Sequence, residues 1–345
     1  MILESIATAV PSYRYSQREC YSALQTSTIY QSLNSQSRAL LKHILNNGKS
    51  GIEHRHFAAE SIAHIVDRSA QQLNETFETE AADLGSTALL AALDKAGIDP
   101  QALDALFICT CTGYICPGLS SHVAERLNFR GDVFLSDVVG LGCGAAIPTL
   151  RSAASFLALN PNARVAMVAV EICSAAFYAS DDPGVLISLC LFGDGAAAAV
   201  FGNGKTGTDA WNVGHFASIH MPEHRESIRF VNAEGKLRNQ LDKCVPAIAA
   251  ESVAILFAKR KGEPDRILAH SGGRDVVDAL EAALETELSE TRAVLAEYGN
   301  MSSPSLLFAL EKALATAAAG GDVRFWLTSF GAGFSAHACE MWRHS

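Results

Sequence analysis

The chain has 345 residues, 49% of them hydrophobic and 19% charged, enough to bury a large core as one domain or as two halves. A formal charge of −10 argues against a general nucleic-acid binder, although an anionic small substrate needs only a local basic patch. Residues 1–11 lack a basic leader and carry Glu4, no apolar run reaches about 18 residues, and nine cysteines lack framework spacing; these features fit a cytosolic enzyme with reduced thiols and no membrane insertion.

In chain order, residues 81–97 carry a helical pattern, Ile98-Asp99-Pro100 breaks it, and 105–110 reads as a buried strand. Cys109, Cys111 and Cys116 follow closely, but no second Cys/His pair stands at zinc-site distance, so no metal site is expected. An apolar run then meets the turn Gly140-Leu141-Gly142, and Cys143 opens a helix whose apolar positions are Ile147, Leu150, Ala154 and Leu157. The strand 164–170 follows. The apolar stretch 185–201 is too interrupted, by Asp194 and two glycines, to cross a membrane. Residues 203–209 read as a loop dividing an N-terminal half, 1–205, from a C-terminal half, 206–345.

The second half repeats the plan. A helix over 251–261 precedes Gly262-Glu263-Pro264 and the strand 266–270, which runs into Ser271-Gly272-Gly273. Asn300 then precedes Met301-Ser302-Ser303-Pro304, where serines can cap a helix and proline suits its first turn. Leu306, Leu310 and Leu314 continue that helix, and the strand 324–329 follows it. Cys143 and Asn300 thus take equivalent places in two halves of an α/β chain.

Three side chains carry candidate chemistry. A thiol at the first turn of a helix can have a depressed pKa, because the terminal N–H groups favour its thiolate, so Cys143 is the candidate nucleophile. His270 and Asn300, each on a glycine-bearing turn, are its candidate partners. Cys, His and Asn in that order suggest acyl transfer through a thioester. Buried cysteines are mostly inert fillers, and the other eight are read that way.

Five segments carry a resemblance: Cys111-Thr-Gly-Tyr-Ile-Cys-Pro-Gly118, Gly142-Cys-Gly-Ala-Ala146, Leu191-Phe-Gly-Asp-Gly-Ala-Ala197, Ala269-His-Ser-Gly-Gly273 and Tyr298-Gly-Asn-Met-Ser-Ser303. In this order they resemble the type III polyketide synthases, the chalcone-synthase-like branch of the thiolase-fold condensing enzymes. The resemblance implies a duplicated, five-layered αβαβα fold, a homodimer, and a deep cavity reached through a coenzyme A tunnel. It implies a triad of Cys143, His270 and Asn300, acyl-CoA and malonyl-CoA as substrates, and no permanently bound cofactor. An acyl carrier protein is a further candidate partner. His270 would keep Cys143 ionised as an ion pair. After decarboxylation of malonyl-CoA, His270 and Asn300 would hold the enolate oxygen, and the carbanion would attack the Cys143 thioester.

The resemblance also assigns pocket residues. Phe192 matches the gatekeeper between tunnel and cavity, with Asp194 bracing the turn behind it. Cys111, Cys116, Cys173, Ala176, Phe230, Asn239, Gly272, Gly273 and Ser302 fall at substrate-facing positions, and Lys42, Lys49 and Arg55 at coenzyme A-facing ones. Leu45 stands where a third cation is expected. Asn239 replaces the second gatekeeper aromatic, Ala332 replaces a loop proline, and Ala176 stands where threonine is usual. An apolar, deeper pocket for a fatty acyl starter follows from Ala176, giving an alkylresorcinol or alkylpyrone product, whereas Phe230 would shorten it. The alternatives are a single-condensation enzyme like ketoacyl synthase III and a Cys-His-Asn hydrolase, whose usual signatures are missing from the chain.

Overall fold

The computed structural model describes residues 1–204, 210–318 and 321–344. The chain opens with β1 (Ile2–Ala9), β2 (Tyr13–Ser16), α1 (Gln17–Gln25), α2 (Thr28–Ser32), α3 (Ser35–Asn46), β3 (His54–Phe57) and α4 (Ile62–Val66). It continues with α5 (Ala70–Ala96), β4 (Ala105–Cys109), α6 (Leu119–Arg126), β5 (Phe134–Val138), α7 (Ala146–Leu159), β6 (Val165–Glu171), α8 (Pro183–Leu191) and β7 (Gly195–Gly202). After these come β8 (Trp211–His220), β9 (Ile228–Ala233), β10 (Lys236–Leu241), α9 (Val245–Phe257), β11 (Arg266–Ala269) and α10 (Arg274–Leu284). The last elements are α11 (Ser289–Tyr298), α12 (Pro304–Ala315), β12 (Val323–Gly331) and β13 (Ser335–Arg343).

Nine strands pair in the order β11-β12-β13-β8-β1-β7-β6-β4-β5. The junction is thin: β1 and β8 share just the pairs Ile2 with Asn212 and Leu3 with Trp211. On one side, β1, β7 and β6 run antiparallel in turn and β4 joins β6 in parallel. On the other, β8, β13 and β12 run antiparallel in turn and β11 joins β12 in parallel. The two sides therefore share one design, with β5 added in parallel beside β4. The expected boundary falls between β7 and β8, where residues 205–209 lie outside the described residues.

The period-two geometry of the strands builds the layers. Phe107, Cys109, Met167 and Ala169 share a core with Ile147 and Leu150 of α7 and Leu306 and Leu310 of α12. Their neighbours Leu106, Ile108, Val168 and Val170 face the opposite way, onto Leu89 and Leu93 of α5. In the second half, Phe325 and Leu327 join the α7–α12 core, while Ile267, Ala269 and Trp326 pack on α9 and α10. The result is helix, sheet, helices, sheet, helices, and strands covered on both faces read as unbroken apolar runs.

Some limits differ from the pattern. α5 begins at Ala70, where Ser69 and Gln72 form a capping box, and ends at Gly97 with φ of 66°. α9 covers Val245–Phe257, earlier than the expected 251–261, because Pro246 occupies its first turn. Ala153 rather than Ala154 completes the inner stripe of α7, while in α12 Ala313 is buried and Leu314 packs half-buried against the same core. Ser303 does not cap α12 through its side chain. A fourth core, unforeseen from the sequence, packs α1–α4 against α8 through residues such as Leu24, Leu41, Phe57, Leu186 and Leu189. No described helix is long and apolar enough to cross a membrane.

Candidate active site

Cys143 lies in a tight turn, Gly142–Gly144, with Gly142 at φ of 56°, just before α7. The end of β12 presses on this turn: a Cβ at Gly142 would come within 3.0 Å of Ala332, and one at Gly144 within 3.1 Å of the Gly331 nitrogen. Cys143 is 7% exposed, and its thiol meets the Ser302 hydroxyl, which also lies 3.2 Å from the Cys111 sulfur. Ser302 holds φ of 58°, a strained value for a non-glycine residue, and this conformation stands within the site.

Burial pushes the Cys143 thiol up to about 12, against the relief of the Ser302 bond. Burial likewise takes His270 down to about 4, opposed by the Ser302 carbonyl. Both shifts oppose the charged forms that the expected resting ion pair requires. The physical reason is twofold. The regular helix begins only at Ala146, so its dipole does not end at the sulfur, and neither charge has water to solvate it.

His270 follows β11 directly, and its buried Nδ1 has no partner among the described residues. Asn300 follows Gly299, whose φ of 70° and ψ of −160° only glycine tolerates. The amide of Asn300 is oriented by two bonds: its Oδ1 accepts from the Ser302 nitrogen at 2.8 Å, and its Nδ2 donates to the Gly272 carbonyl at 3.0 Å. Among the described residues, one N–H of the amide has no partner.

Phe192 is tied to the same segment. The Gly193 nitrogen donates to the Asn300 carbonyl at 3.0 Å, and the Asn300 nitrogen donates to the Leu191 carbonyl at 2.9 Å. Arg55 does not serve as a coenzyme A cation. It is 1% exposed, and its guanidinium donates to the carbonyls of Leu189 and Phe192 and to Gln17, so it cannot turn outward to a phosphate. Asp194 braces this region as expected, but through other segments than its own turn: it accepts from the Ala58 and Ser174 nitrogens and the Ser174 hydroxyl.

A tunnel of about 690 Å³ brings together Cys143, His270, Asn300, Phe192, Phe230, Asn239, Gly272, Gly273 and Lys49. Beyond Phe192 lies a small cavity touched by Cys111, Cys173, Ala176, Phe230, Asn239 and Ser302. Cys116 lines neither space; it is exposed on the loop before α6 and is corrected as a substrate contact within this chain. Lys42 is exposed but lies outside the tunnel lining, because α3 presents His43, Ile44 and Asn47 to the tunnel. Arg229, Lys243 and Arg274 also stand along the tunnel, and sequence reading missed them. They come from β9, the loop after β10 and the start of α10, so no local pattern joins them.

A family model described as FAE1/Type III polyketide synthase-like protein matches residues 9–254, and one described as 3-Oxoacyl-[acyl-carrier-protein (ACP)] synthase III C terminal matches 259–342. The 3,5-dihydroxyphenylacetyl-CoA synthase of Streptomyces toyocaensis is 30% identical over 329 residues, spanning 90% of this chain and 81% of that protein. The solved 1,3,6,8-tetrahydroxynaphthalene synthase of Streptomyces coelicolor A3(2) superposes with a TM-score of 0.88 over 100% of both chains at 24% identity. CsyB complexed with CoA-SH gives a TM-score of 0.88 over 99% of each chain at 21% identity. With the thiolase-like fold shared, and the first match spanning most of the chain, this protein belongs to the type III polyketide synthase family.

Proposed function

We propose that this chain condenses malonyl-CoA onto an acyl group carried by Cys143, with His270 and Asn300 as its catalytic partners, and that the extended chain then cyclises. The observation that carries the residue roles is the Asn300 amide, held by Gly272 and Ser302 with one N–H left over in the tunnel that Cys143 and His270 also line.

Loading starts when the Cys143 thiol passes its proton to His270 and attacks the thioester carbonyl; coenzyme A leaves as the thiolate and takes that proton. Malonyl-CoA then enters the emptied tunnel. Loss of carbon dioxide leaves an enolate whose oxygen needs donors already in place. Neutral imidazole can turn its one N–H from the Ser302 carbonyl to the enolate oxygen, and Asn300 gives its uncommitted one; neither must ionise to do so. The carbanion attacks the Cys143 thioester carbonyl and expels the thiolate, lengthening the chain by two carbons. Phe192, held by Arg55 and by the backbone bonds of the flanking Leu191 and Gly193 to Asn300, keeps water from the malonyl carboxylate and so favours its loss.

Lys49, Arg229, Lys243 and Arg274 along the tunnel suit the phosphates of coenzyme A, as point charges or forked donors. Two copies of the chain are expected to associate through the edge strand β5, where Phe134 and Val139 are exposed. The same tunnel would accept a thioester delivered by an acyl carrier protein. The two halves, 1–205 and 206–345, supply the nucleophile and its two partners respectively.

The deciding experiment is mass spectrometry of products and carbon dioxide release with malonyl-CoA, for the wild type, Cys143→Ala and Asn300→Ala. Cys143→Ala should make no extended product, and Asn300→Ala should lose about 10²–10³ in condensation rate. Extended product from Cys143→Ala would refute the covalent mechanism. A single added two-carbon unit in the wild type would favour the ketoacyl-synthase reading.

A further inference from the structure

The nine cysteines are not equally placed, and two of them meet at one atom. The Ser302 hydroxyl lies 3.2 Å from the Cys111 sulfur and also bonds the Cys143 thiol. A hydroxyl has one proton to give and lone pairs to accept with, so it can donate to one sulfur while the other thiol donates to it. Two thiols that converge on one oxygen are a pair that a two-electron oxidant can join. The catalytic steps proposed above make no use of Cys111.

Separate elements hold the two thiols at that hydroxyl. Glu171, at the end of β6, accepts from the Cys111 and Thr112 nitrogens at 2.9 and 3.1 Å and from the Ser303 hydroxyl at 2.8 Å. It thereby ties the Cys111 loop to the segment that carries Ser302. Ser302 is itself fixed by the bond of its nitrogen to Asn300. Cys143 is placed by the Gly142–Gly144 turn, against which the end of β12 presses. One χ1 rotation of Ser302 would withdraw the shared oxygen from the two sulfurs.

Both residues border space that a small oxidant can enter. Cys143 lines the tunnel, and Cys111 lines the small cavity and a cleft of about 1210 Å³ that also reaches Gly142. Other thiols are placed differently. Cys109 is fully buried with its sulfur turned to the Ser303 hydroxyl at 3.8 Å, and Cys20, Cys190 and Cys339 are likewise closed off. Cys173 lines the small cavity and is the rival partner for Cys143, but the bond to Ser302 favours Cys111. Burial raises the Cys111 thiol well above its usual range, so it stays protonated and reacts second.

We propose that Cys111 and Cys143 form a reversible disulfide when the enzyme meets a hydroperoxide, with Cys111 as the resolving thiol that spares the nucleophile from irreversible oxidation. This rests on the function proposed above, in which Cys143 passes its proton to His270. The Cys143 sulfur attacks one peroxide oxygen, the O–O bond breaks, and hydroxide leaves as water with the His270 proton; Cys143 becomes a sulfenic acid. The Cys111 sulfur then attacks the oxidised sulfur. The S–S bond forms, the S–O bond breaks, and the hydroxyl leaves with the Cys111 proton as a second water. Two thiols and one hydrogen peroxide thus give one disulfide and two waters. Without Cys111 the sulfenic acid goes on to the sulfinic acid, which a dithiol does not reduce.

The test treats the reduced full chain, freed of added thiol, with hydrogen peroxide, and reads intact mass, the linkage of peptides and the rate of product formation. The wild type should lose two hydrogens in mass, give a Cys111–Cys143 linked peptide and slow by about tenfold or more, and dithiothreitol should restore its rate. Cys111→Ser, which keeps a hydrogen-bonding group beside Ser302, should instead gain two oxygens on Cys143, and dithiothreitol should restore roughly tenfold less of its own starting rate. Cys173→Ser should behave as the wild type does. A Cys143–Cys173 link, oxygens on wild-type Cys143 without a linked peptide, or full recovery of Cys111→Ser would overturn the inference and leave the proposed function standing. The wild-type peptide map decides the matter even where a variant does not fold. A complete Cys111–Cys143 link with undiminished product formation would instead sink the proposed function itself.

Discussion

Replacing His270 by Gln tests how the Cys143 thiol is activated. Glutamine keeps a polar group of similar reach but cannot take a proton at neutral pH. The thiol is then alone in a pocket that pushes it up to about 12 from 9.0. At pH 8 the thiolate fraction falls to about 10⁻⁴, against about 10⁻¹ for an ordinary thiol, a thousandfold loss. A more basic thiolate is intrinsically more nucleophilic, with a Brønsted coefficient of about 0.4–0.5, which returns a factor of about 15–30. The net expectation is alkylation roughly 30- to 60-fold slower than an ordinary thiol. Iodoacetamide labelling followed by peptide mass spectrometry reads this directly, with the exposed Cys116 and Cys244 as references in the same tube. In the wild type, where His270 can take the proton, Cys143 should be labelled faster than in the variant; in His270→Gln it should be the slowest of the three. Wild-type labelling of Cys143 in the variant at pH 8 would show that the thiolate owes nothing to His270, and the coupled proton transfer would be wrong.

Two further outcomes follow from the geometry. In Gly299→Ala the new Cβ would stand 2.8 Å from the Leu191 carbonyl and 2.9 Å from Arg55 Cγ, in a backbone region costing about 1–3 kcal/mol for other residues; the midpoint of thermal unfolding should fall by about 5 °C or more, and an unchanged midpoint would contradict the assigned strain. Burial holds both His270 and His337 near 4, so between pH 6.5 and 4 the unfolded chain binds protons that the folded chain does not. Stability should therefore fall as pH drops through that window, by about 3 kcal/mol per histidine at its lower end. Denaturant titrations of His337→Gln should show a flatter pH dependence there, and a slope equal to the wild type's would refute the contribution of His337.

The site was legible in the sequence where local chemistry marks it. Glycines that force a turn next to Cys143, a strand that runs into glycine after His270, and a glycine-only conformation before Asn300 all leave a trace in residue order. The tunnel cations left none, because Arg229, Lys243 and Arg274 converge from three elements. Arg55 misled for the converse reason: it sits in a basic-looking stretch, 42–56, yet β3 turns it inward to three acceptors. Cys116 shares a motif with Cys111, but only Cys111 reaches the Ser302 hydroxyl.

By itself the sequence determined the α/β plan and its duplication, and it named Cys143, His270 and Asn300 as candidates, because hydrophobic periodicity and obligatory turn residues act over a few neighbours in the chain. Tertiary structure alone decided the desolvation of Cys143 and His270, the inward turn of Arg55, and which cations face the tunnel. Each of these depends on desolvation or on hydrogen bonds between distant segments, and both arise only once the layers close.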